Sequence, residues 1–351
     1  MSALDNAAIG ALLLQTAAEH EGHRKLALER AAKQAWRWRE EAADVAASGR
    51  SLTELTSVGP WVAHQIEDWL ESEPDVPEAD PTRRGFLTYA QVRAALAIDP
   101  GWETEPHADL QIHTTDSDGR VPLPEMVAAA RETRLAYMSI TDHTQTLKVA
   151  KGQTPAELRD QGERIDALNA SFATEPSPFR VLRSVEMDVF DHGEGDMDPD
   201  VLDDLDIVLG AFHSKLRVRD DATDRYVAAL RNPTVHVLAH PTTRMFGRRG
   251  GLMADWRRVF AEAAKLGKAL EIDATPHRQD LPVELARLAL AEGVEWFSMG
   301  SDAHYVEELR NLPFGMAIAA LAGIPRQRFI TYRPHEEVVA WAAALSAGDR
   351  A

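Results

Sequence analysis

Hydrophobic and polar residues follow two different patterns along the chain, which predict two structural regions. From residue 1 to about residue 72, apolar positions recur every three or four residues among Ala, Leu, Glu, Arg and Lys. That spacing is typical of amphipathic helices. From about residue 106, short apolar runs alternate with amphipathic stretches. This second pattern is typical of repeated βα units.

Seven apolar runs in the second region predict parallel strands. Helices between them favour an α/β fold, a distorted (β/α)7 barrel of the TIM type, preceded by a small all-α domain. An open doubly wound sheet is the alternative, although no glycine-rich phosphate loop follows the first run. The predicted strands lie at 108–113, 136–143, 179–190, 206–213, 235–240, 269–275 and 296–304.

A segment rich in proline separates the two regions. Three prolines lie within 73–85, a composition typical of a linker, and a short helical pattern follows before the turn at Asp99-Pro100-Gly101. The predicted domains are a helical domain at 1–82, a linker with a short helix at 83–105 and a barrel domain at 106–351.

Composition and charge narrow the class of protein. No apolar run approaches the roughly 20 residues that a membrane span needs, and the start lacks a secretory signal pattern, so we expect a cytoplasmic globular protein without a membrane partner. Cysteine is absent, which excludes disulfides, thiolate metal sites and cysteine nucleophiles. The net charge of -18 disfavours a protein that coats nucleic acid non-specifically, although bound cations would invert the local field.

Histidine or carboxylate side chains lie at the carboxyl ends of six of the seven predicted strands. In a parallel barrel these ends open on one face, so side chains distant in sequence would converge there. A single histidine at a strand end is usually an ordinary hydrogen-bonded or exposed residue, but recurrence on six strands favours a metal centre. The candidates are His113, Asp118, His143, Glu186, His213, His240, Asp302 and His304.

The donor set indicates both the metal and the chemistry. Imidazole with carboxylate and no thiolate suits Zn, Mn or Fe better than Ca. Eight candidates exceed the needs of one tetrahedral ion, so we expect two or three divalent ions as cofactors. Such a centre activates water against a phosphate ester without a side-chain nucleophile, so the same eight residues are the catalytic candidates.

From about Ala108 to about Trp341 the chain resembles the polymerase and histidinol phosphatase (PHP) family, and within it the C-terminal PHP domain of bacterial X-family DNA polymerases. Seven motifs in family order carry the resemblance: DLQIHTTDSDG, ITDHT, VEMDV, GAFHSKL, VLAHPTTR, EIDATPHRQDL and GSDAH. The resemblance implies a distorted seven-stranded barrel with up to three metals, held by the eight residues above. The family opens with His-x-His, and Gln111 stands at the first position, where it would be a weaker ninth ligand.

Three cations beside these motifs are candidate contacts for a substrate phosphate. Arg278 lies in the segment that the family writes Arg-x-Asp-Leu, and its planar fork suits phosphate. A structural pairing of Arg278 with Asp280 is the alternative. Lys215 and Arg244 follow the fourth and fifth predicted strands.

Residues 51–70 fit a helix-hairpin-helix pattern similar to the small N-terminal domain of X-family polymerases. Val58, Gly59 and Trp61 are candidate DNA contacts, because N–H groups at such a turn can meet a phosphate. Pro60 removes one donor and the surroundings are acidic, so a packing role is the alternative. The interval 71–105 is too short for a nucleotidyl-transfer domain, and we expect no DNA synthesis.

Three functional hypotheses follow. The first is metal-dependent hydrolysis of phosphodiester bonds at DNA 3′ ends, by a 3′–5′ exonuclease or an end-processing repair enzyme with DNA as its substrate. The second is a small-molecule phosphomonoesterase of the histidinol phosphatase type, which the acidic composition favours. The third is a non-enzymatic DNA-binding or regulatory protein without metals, which only Gln111 supports.

Overall fold

The computed structural model describes residues 4–348 and divides the chain into two compact units, Met1–Asp99 and Pro100–Ala351. The division falls inside the segment 83–105, for which the sequence predicts a linker. The short helix expected there lies in the first unit, where the Tyr89 N–H donates to the carbonyl oxygen of Trp36 at 3.0 Å. The domain boundaries at 82 and 106 stay a prediction.

The first unit consists of helices, as the three- and four-residue spacing predicts. Side chains on their inner faces form one hydrophobic core, in which Ile9, Leu13, Leu28 and Ile66 are fully buried. Burying side chains of this size contributes about 1.5–3 kcal/mol each. The helices are α1 (Asn6–Ala18), α2 (Gly22–Ala35), α3 (Ala42–Ala47), α4 (Pro60–Ser72) and α5 (Tyr89–Ile98).

The second unit contains seven parallel strands whose order in the sheet is their order in the chain. Sequential order excludes the doubly wound alternative, in which the strand order reverses. The strands are β1 (His107–Asp109), β2 (Leu135–Ile140), β3 (Arg180–Asp188), β4 (Ile207–Ala211), β5 (Val237–Leu238), β6 (Ala269–Asp273) and β7 (Phe297–Gly300).

The last strand returns to the first, which makes the sheet a nearly closed barrel. The Leu110 N–H donates to the Met299 carbonyl at 3.2 Å, and the Asp302 N–H donates to the Gln111 carbonyl at 3.0 Å. The predicted α/β barrel of seven strands is therefore confirmed, as are the helices before it.

One short helix precedes the first strand of the barrel, and others lie between consecutive strands and continue beyond the last one. Connections of this kind are needed because two parallel neighbours cannot be joined by a tight turn. The helices are α6 (Gly101–Thr104), α7 (Leu123–Arg131), α8 (Pro155–Phe172), α9 (Pro199–Leu202), α10 (Thr223–Arg231), α11 (Trp256–Leu266), α12 (Val283–Ala291), α13 (Leu312–Ala322) and α14 (His335–Gly348). None of the helices within 4–348 is long and apolar enough to cross a membrane.

The barrel has an apolar part and a polar part. Side chains of Tyr137, Leu182, Leu209 and Val237 share one buried hydrophobic cluster with Ile330, which follows the last strand. The polar side chains singled out by the sequence lie instead in or just after the carboxyl ends of the strands. That end of the barrel therefore carries the chemistry.

Candidate metal centre

The fold brings all eight predicted ligands to the carboxyl ends of the strands. Glu186 is part of β3 itself, whereas the other seven follow β1, β2, β4, β5 and β7 by a few residues. His113, Glu186 and His240 have at most 1% of their surface exposed. Side chains distant in sequence are thus gathered at one end of the barrel, and most of them are buried there.

Glu186 lies at the middle of the cluster, with imidazoles facing both of its oxygens. Its Oε1 lies 2.6 Å from His240 Nε2 and 3.1 Å from His213 Nε2. Its Oε2 lies 3.3 Å from His113 Nε2 and 3.5 Å from His143 Nδ1. One carboxylate on β3 therefore connects groups from four other strands, as a bridging ligand would.

Asp118 gathers a second set of imidazoles. Its Oδ1 lies 3.3 Å from His304 Nε2, 3.5 Å from His143 Nε2 and 3.9 Å from His113 Nδ1. The ring of His113 stacks between those of His143 and His304, with centroids 4.6 and 4.5 Å away. Three rings are thus held with their nitrogens directed at shared carboxylates.

Two of the predicted ligands have backbone conformations that residues with a Cβ rarely adopt. His240 has φ 27° and Asp302 has φ 51°, in or near the left-handed region, which costs roughly 1–2 kcal/mol for a residue with a Cβ. Strain of this kind concentrates at functional sites, where the surrounding structure holds it in place. Here it directs both side chains into the cluster.

A glycine allows the loop after β1 to close over the centre. A Cβ on Gly119 would lie 2.7 Å from the carbonyl carbon and oxygen of His113. Only glycine fits that close approach, and it places Asp118, the preceding residue, beside the histidines. Gly119 therefore does more than form a turn, because it positions Asp118 at the centre.

The electrostatics of the centre are those of a site prepared for cations. Burial alone would raise the pKa of the Glu186 carboxyl, but the imidazoles around it hold that pKa well below its usual range. Burial also opposes ionisation of Asp118, yet His304, His113 and His143 lower its pKa to about 2. Burial lowers the pKa of His143 to about 3, so this ring is neutral and has a free lone pair for a metal.

Unsatisfied ring nitrogens test whether the site fits metal ions. Both nitrogens of His113, Nδ1 of His143 and Nδ1 of His240 are buried without a hydrogen-bond partner in the part of the chain that the structure describes. Buried polar atoms of native proteins nearly always have a partner. Orphaned imidazole nitrogens beside carboxylates are what a metal centre leaves when only the protein is considered, so the residues fit the group.

Three overlapping groups of side chains could each hold an ion. Within each group the ligand atoms all lie within 4.8 Å of one another. Each pair of groups has one residue in common, which is His113, His143 or Glu186. That is the arrangement of a multinuclear centre with bridging ligands. They are His113, Asp118, His143 and His304; His143, Glu186 and His213; and His113, Glu186 and Asp302.

Gln111, the predicted ninth ligand, is completely buried, and both its Oε1 and its Nε2 lack a hydrogen-bond partner among residues 4–348. A Cβ on Gly300 would lie 3.1 Å from its Oε1 and 2.8 Å from Glu271 Oε1, so Gln111 and Glu271 both occupy the space beside this glycine. The amide is unsatisfied in the same way as the imidazoles.

The sequence interpretation missed two buried carboxylates on β6. Glu271 and Asp273 have no exposed surface, and burial raises the pKa of both carboxyls well above the usual range, aided by the charge of Asp273 at Glu271 and by that of Asp302 at Asp273. Glu271 Oε2 accepts a 2.7 Å hydrogen bond from the His240 N–H. The period of two in Ala269–Asp273 could have revealed them, because it places both carboxylates on one side of a strand that is buried on both faces.

A further missed residue, Asp142, organises the loop that carries Asp118. It is completely buried and accepts hydrogen bonds from Thr114 N (2.8 Å), Thr114 Oγ1 (2.6 Å), Ser117 Oγ (2.5 Å) and Gln161 Nε2 (2.6 Å). It adjoins His143 in sequence, and only its position in the fold shows that it acts on the loop rather than on the metal.

The three predicted phosphate contacts lie in different surroundings. Arg278 Nε lies 3.2 Å from Asp302 Oδ2 and 3.4 Å from Asp273 Oδ2, so this arginine borders the centre. Lys215 is exposed and pairs with Asp191. Arg244 is buried, and burial lowers its pKa to about 10. As contacts of a substrate all three stay predictions.

The hairpin-like segment of the first unit contributes mainly to packing. Val58 is 5% exposed in the hydrophobic core, whereas Gly59 is exposed and caps α4, which begins at Pro60. Trp61 is partly buried beside Arg24, whose guanidinium carbon lies 5.2 Å from the ring centroid. DNA contact through Val58, Gly59 and Trp61 stays a prediction.

Known proteins resemble this chain over the length of one domain. A DNA polymerase/3′-5′ exonuclease, PolX, from Bacillus subtilis is 38% identical over 234 residues, which are 66% of this chain and 40% of that protein. A probable phosphatase from Tolumonas auensis is 31% identical over 163 residues, 44% of this chain and 64% of the relative. The probable phosphatase YcdX of Escherichia coli is 23% identical over 237 residues, 64% of this chain and 90% of the relative.

The chain thus spans less than two thirds of the first two of these relatives. No family model matches it. The solved histidinol phosphate phosphatase of Lactococcus lactis is 14% identical, covers 70% of this chain and 94% of its own, and superposes with a TM-score of only 0.41.

Proposed function

The chain belongs to the PHP family of metal-dependent phosphoesterases, and from that premise we propose that its barrel hydrolyses phosphodiester bonds at DNA 3′ ends. The observation that carries the proposal is the set of three donor groups that overlap pairwise at His113, His143 and Glu186. Shared ligands would keep the ions close together, and closely spaced ions can bind the oxygens of one phosphoryl group.

The residues that would hold the ions are the eight predicted ligands, with Gln111 as a ninth. When bound, divalent Zn, Mn or Fe would polarise phosphoryl oxygens and acidify water. The chain supplies the rest. Glu186 and Asp118 keep their negative charges because the imidazoles lower the pKa of both carboxyls. Burial excludes bulk water and strengthens each of these interactions.

Arg278 would bind the substrate phosphate. Its Nε lies 3.2 Å from Asp302 Oδ2 and 3.4 Å from Asp273 Oδ2, and these two carboxylates hold the guanidinium beside the centre. Those carboxylates, acting against the cost of burial, raise its pKa, so the charge is permanent. A fixed planar cation at the edge of the donor cluster suits one face of a phosphodiester.

A DNA end is favoured as the substrate by the Bacillus subtilis relative, whose name includes a 3′-5′ exonuclease. The hairpin-like segment of the first unit offers a second, weaker reason. Hydrolysis of a small phosphomonoester is the alternative, because other relatives are named probable phosphatases and the net charge of -18 does not attract DNA.

The test uses an oligonucleotide labelled at its 5′ end, so that products shortened from the 3′ end stay visible. With Mn or Zn, the full chain should produce a ladder of shorter strands. Replacing His240 with Ala should slow this by at least the 10–100-fold that loss of an outer-shell partner typically costs. His335→Ala is the matched control, since that histidine begins α14 and pairs with Glu336.

Two results would contradict the proposal. Shortening that survives His240→Ala would mean that another centre or a contaminant acts. Release of inorganic phosphate from small monoesters, with no action on DNA, would decide for the phosphatase alternative.

A further inference from the structure

Arginines without an ion-pair partner lie on one side of the metal centre. Arg217 and Arg248 are exposed and Arg249 is half-buried, and none of the three has an ion-pair partner among residues 4–348. The chain as a whole carries a net charge of -18, so carboxylates are abundant. Unpaired cations grouped in such a chain are therefore unexpected on composition alone.

Hydrogen bonds between loops bring these arginines to the same edge. Arg217 lies in the loop after β4, and Arg248 and Arg249 lie in the loop after β5. The Ala222 N–H donates to the Met253 carbonyl at 2.8 Å, which joins these two loops. The Phe246 N–H donates to the His277 carbonyl at 2.8 Å, which ties the second loop to the one that carries Arg278.

The turn that presents Arg248 and Arg249 is ordered by the backbone. The Met245 and Arg249 backbones form an antiparallel bridge, with the Met245 N–H donating to the Arg249 carbonyl at 2.9 Å. Arg249 Nε donates to the carbonyl oxygen of Thr243. One side of the guanidinium is thus fixed by the main chain, which leaves its other donors for a ligand.

The charges of these arginines act on one another. Burial, together with the positive charges of Arg278, Arg217 and Arg248, lowers the pKa of Arg249, although Asp280 opposes this. The four guanidiniums are therefore close enough to repel, and Asp280 offsets this repulsion at Arg249 only in part. An anionic ligand would relieve it.

Lys215 shows the contrast. It lies in the same loop as Arg217 and was a candidate phosphate contact from the sequence, but it pairs with Asp191, which also faces Arg225 Nε at 3.3 Å. Lys215, which lies beside His213, is therefore neutralised, whereas the unpaired arginines lie further along the loops.

We propose that Arg217, Arg248 and Arg249 form a phosphate strip that binds the backbone of a nucleic-acid strand on the 5′ side of the scissile bond. The strip rests on the proposed function, since Arg278 and the metal centre hold the scissile phosphate and the strip holds the phosphates that precede it. Guanidinium forks bind phosphate oxygens in pairs, which suits successive diesters. A small phosphomonoester has no second phosphate to place on the strip.

The test separates binding of a strand from chemistry at the centre. Binding of the full chain to a fluorescent single-stranded phosphorothioate oligonucleotide, which resists hydrolysis, is measured by anisotropy at several salt concentrations. Arg217→Ala and Arg248→Ala should each weaken binding about three- to tenfold and lower the salt slope by about 0.7. The kcat and KM for bis(p-nitrophenyl) phosphate, a small diester, should stay unchanged.

Lys265→Ala is the control. It removes one exposed positive charge at the end of α11, which leads into the amino end of β6 and so lies opposite the centre. If the arginine variants bind the strand with the affinity and salt slope of Lys265→Ala, the strip is wrong. Equal losses on the small diester would also overturn it, since the arginines would then be structural.

The same measurements separate the strip from the proposed function. Wild-type protein that binds the strand through the strip but does not shorten an ordinary oligonucleotide would contradict hydrolysis at DNA ends alone. Shortening that is indifferent to both arginines would contradict the strip alone.

Discussion

Gln111 is a residue whose side chain lowers the stability of the protein but suits its proposed function. Its amide is fully buried, and neither end has a hydrogen-bond partner in the described part of the chain. Leaving a buried polar group unsatisfied costs about 1–3 kcal/mol. That cost is explained if the amide oxygen completes the coordination of an ion.

Replacing Gln111 with Leu should therefore have two opposite effects. The metal-free protein should become more stable by about 1–3 kcal/mol, because the apolar side chain has nothing left unsatisfied. The metal content should fall. Urea unfolding in EDTA and elemental analysis of the metal-loaded protein measure the two effects, and an unchanged metal content would mean that Gln111 is not a ligand.

Asp142 positions the loop that bears Asp118, and its removal tests a residue that acts through another. In Asp142→Asn, one oxygen that now accepts from Thr114 Oγ1 and Gln161 Nε2 can become an NH₂ group facing donors. The variant should lose about 1–3 kcal/mol of stability and bind less metal at the group containing Asp118. Zinc titration calorimetry should then show fewer equivalents of tight binding.

The control for Asp142 is Asp160→Asn on α8, whose side chain is 69% exposed and pairs with Arg164. Exposed pairs of this kind contribute about 0–1 kcal/mol. A variant of Asp142 that loses stability but keeps the full number of tight zinc equivalents would show a structural role only.

At the scale of elements, the entry into β5 contains a histidine that must stay neutral. His236 Nδ1 accepts a 3.0 Å hydrogen bond from the Val208 N–H of β4, and its Nε2 meets Ser346 Oγ of α14 at 2.9 Å. Burial, aided by the positive charge of Lys268, lowers the pKa of His236 to about 3. Protonation would break the bond to β4.

This histidine should make the barrel less stable as the pH falls. The unfolded chain takes up a proton at pH about 6.5 and the folded chain only near 3, so stability is fully present above 6.5 and lost as the pH falls through that window, by about 1.4 kcal/mol per unit. Between pH 7 and 5, wild-type protein should lose about 2 kcal/mol more than His236→Gln in urea unfolding. His64→Gln, with a 74% exposed side chain, is the control and should behave as wild type.

Equal losses in wild type and His236→Gln would contradict this assignment. The histidines of the metal centre are common to both proteins. The difference between the two therefore isolates His236.

At the scale of the molecule, the sequence predicts most of the barrel and the members of the cluster, because both depend on local patterns. All seven apolar runs became strands, and residues at their carboxyl ends converge because parallel strands share a direction. What the runs cannot show is which carboxylate faces which cation. Asp142 and Asp273 are ordinary acidic residues in sequence, and only the fold places one under a loop and the other against Arg278.

For the whole molecule, the metal centre should make the stability of the folded protein depend on the free concentration of metal ions. Ions that bind only the folded barrel stabilise it by RT ln(1 + [L]/Kd), about 2.7 kcal/mol at a hundredfold excess over Kd. For a chain of 351 residues that corresponds to about 4 °C in Tm for each ion bound. Scanning calorimetry should show Tm rising with the logarithm of free Zn or Mn, and the slope reports the number of ions.

Two comparisons make this dependence specific to the centre. Calcium prefers shells made only of oxygen, so it should raise Tm much less than Zn or Mn at the same concentration. His240→Ala should lower the slope, because Glu186 then loses the imidazole nearest its Oε1. A Tm that is the same in EDTA and in excess Zn or Mn would leave the buried ring nitrogens of His113 unexplained and would favour a protein that works without metals.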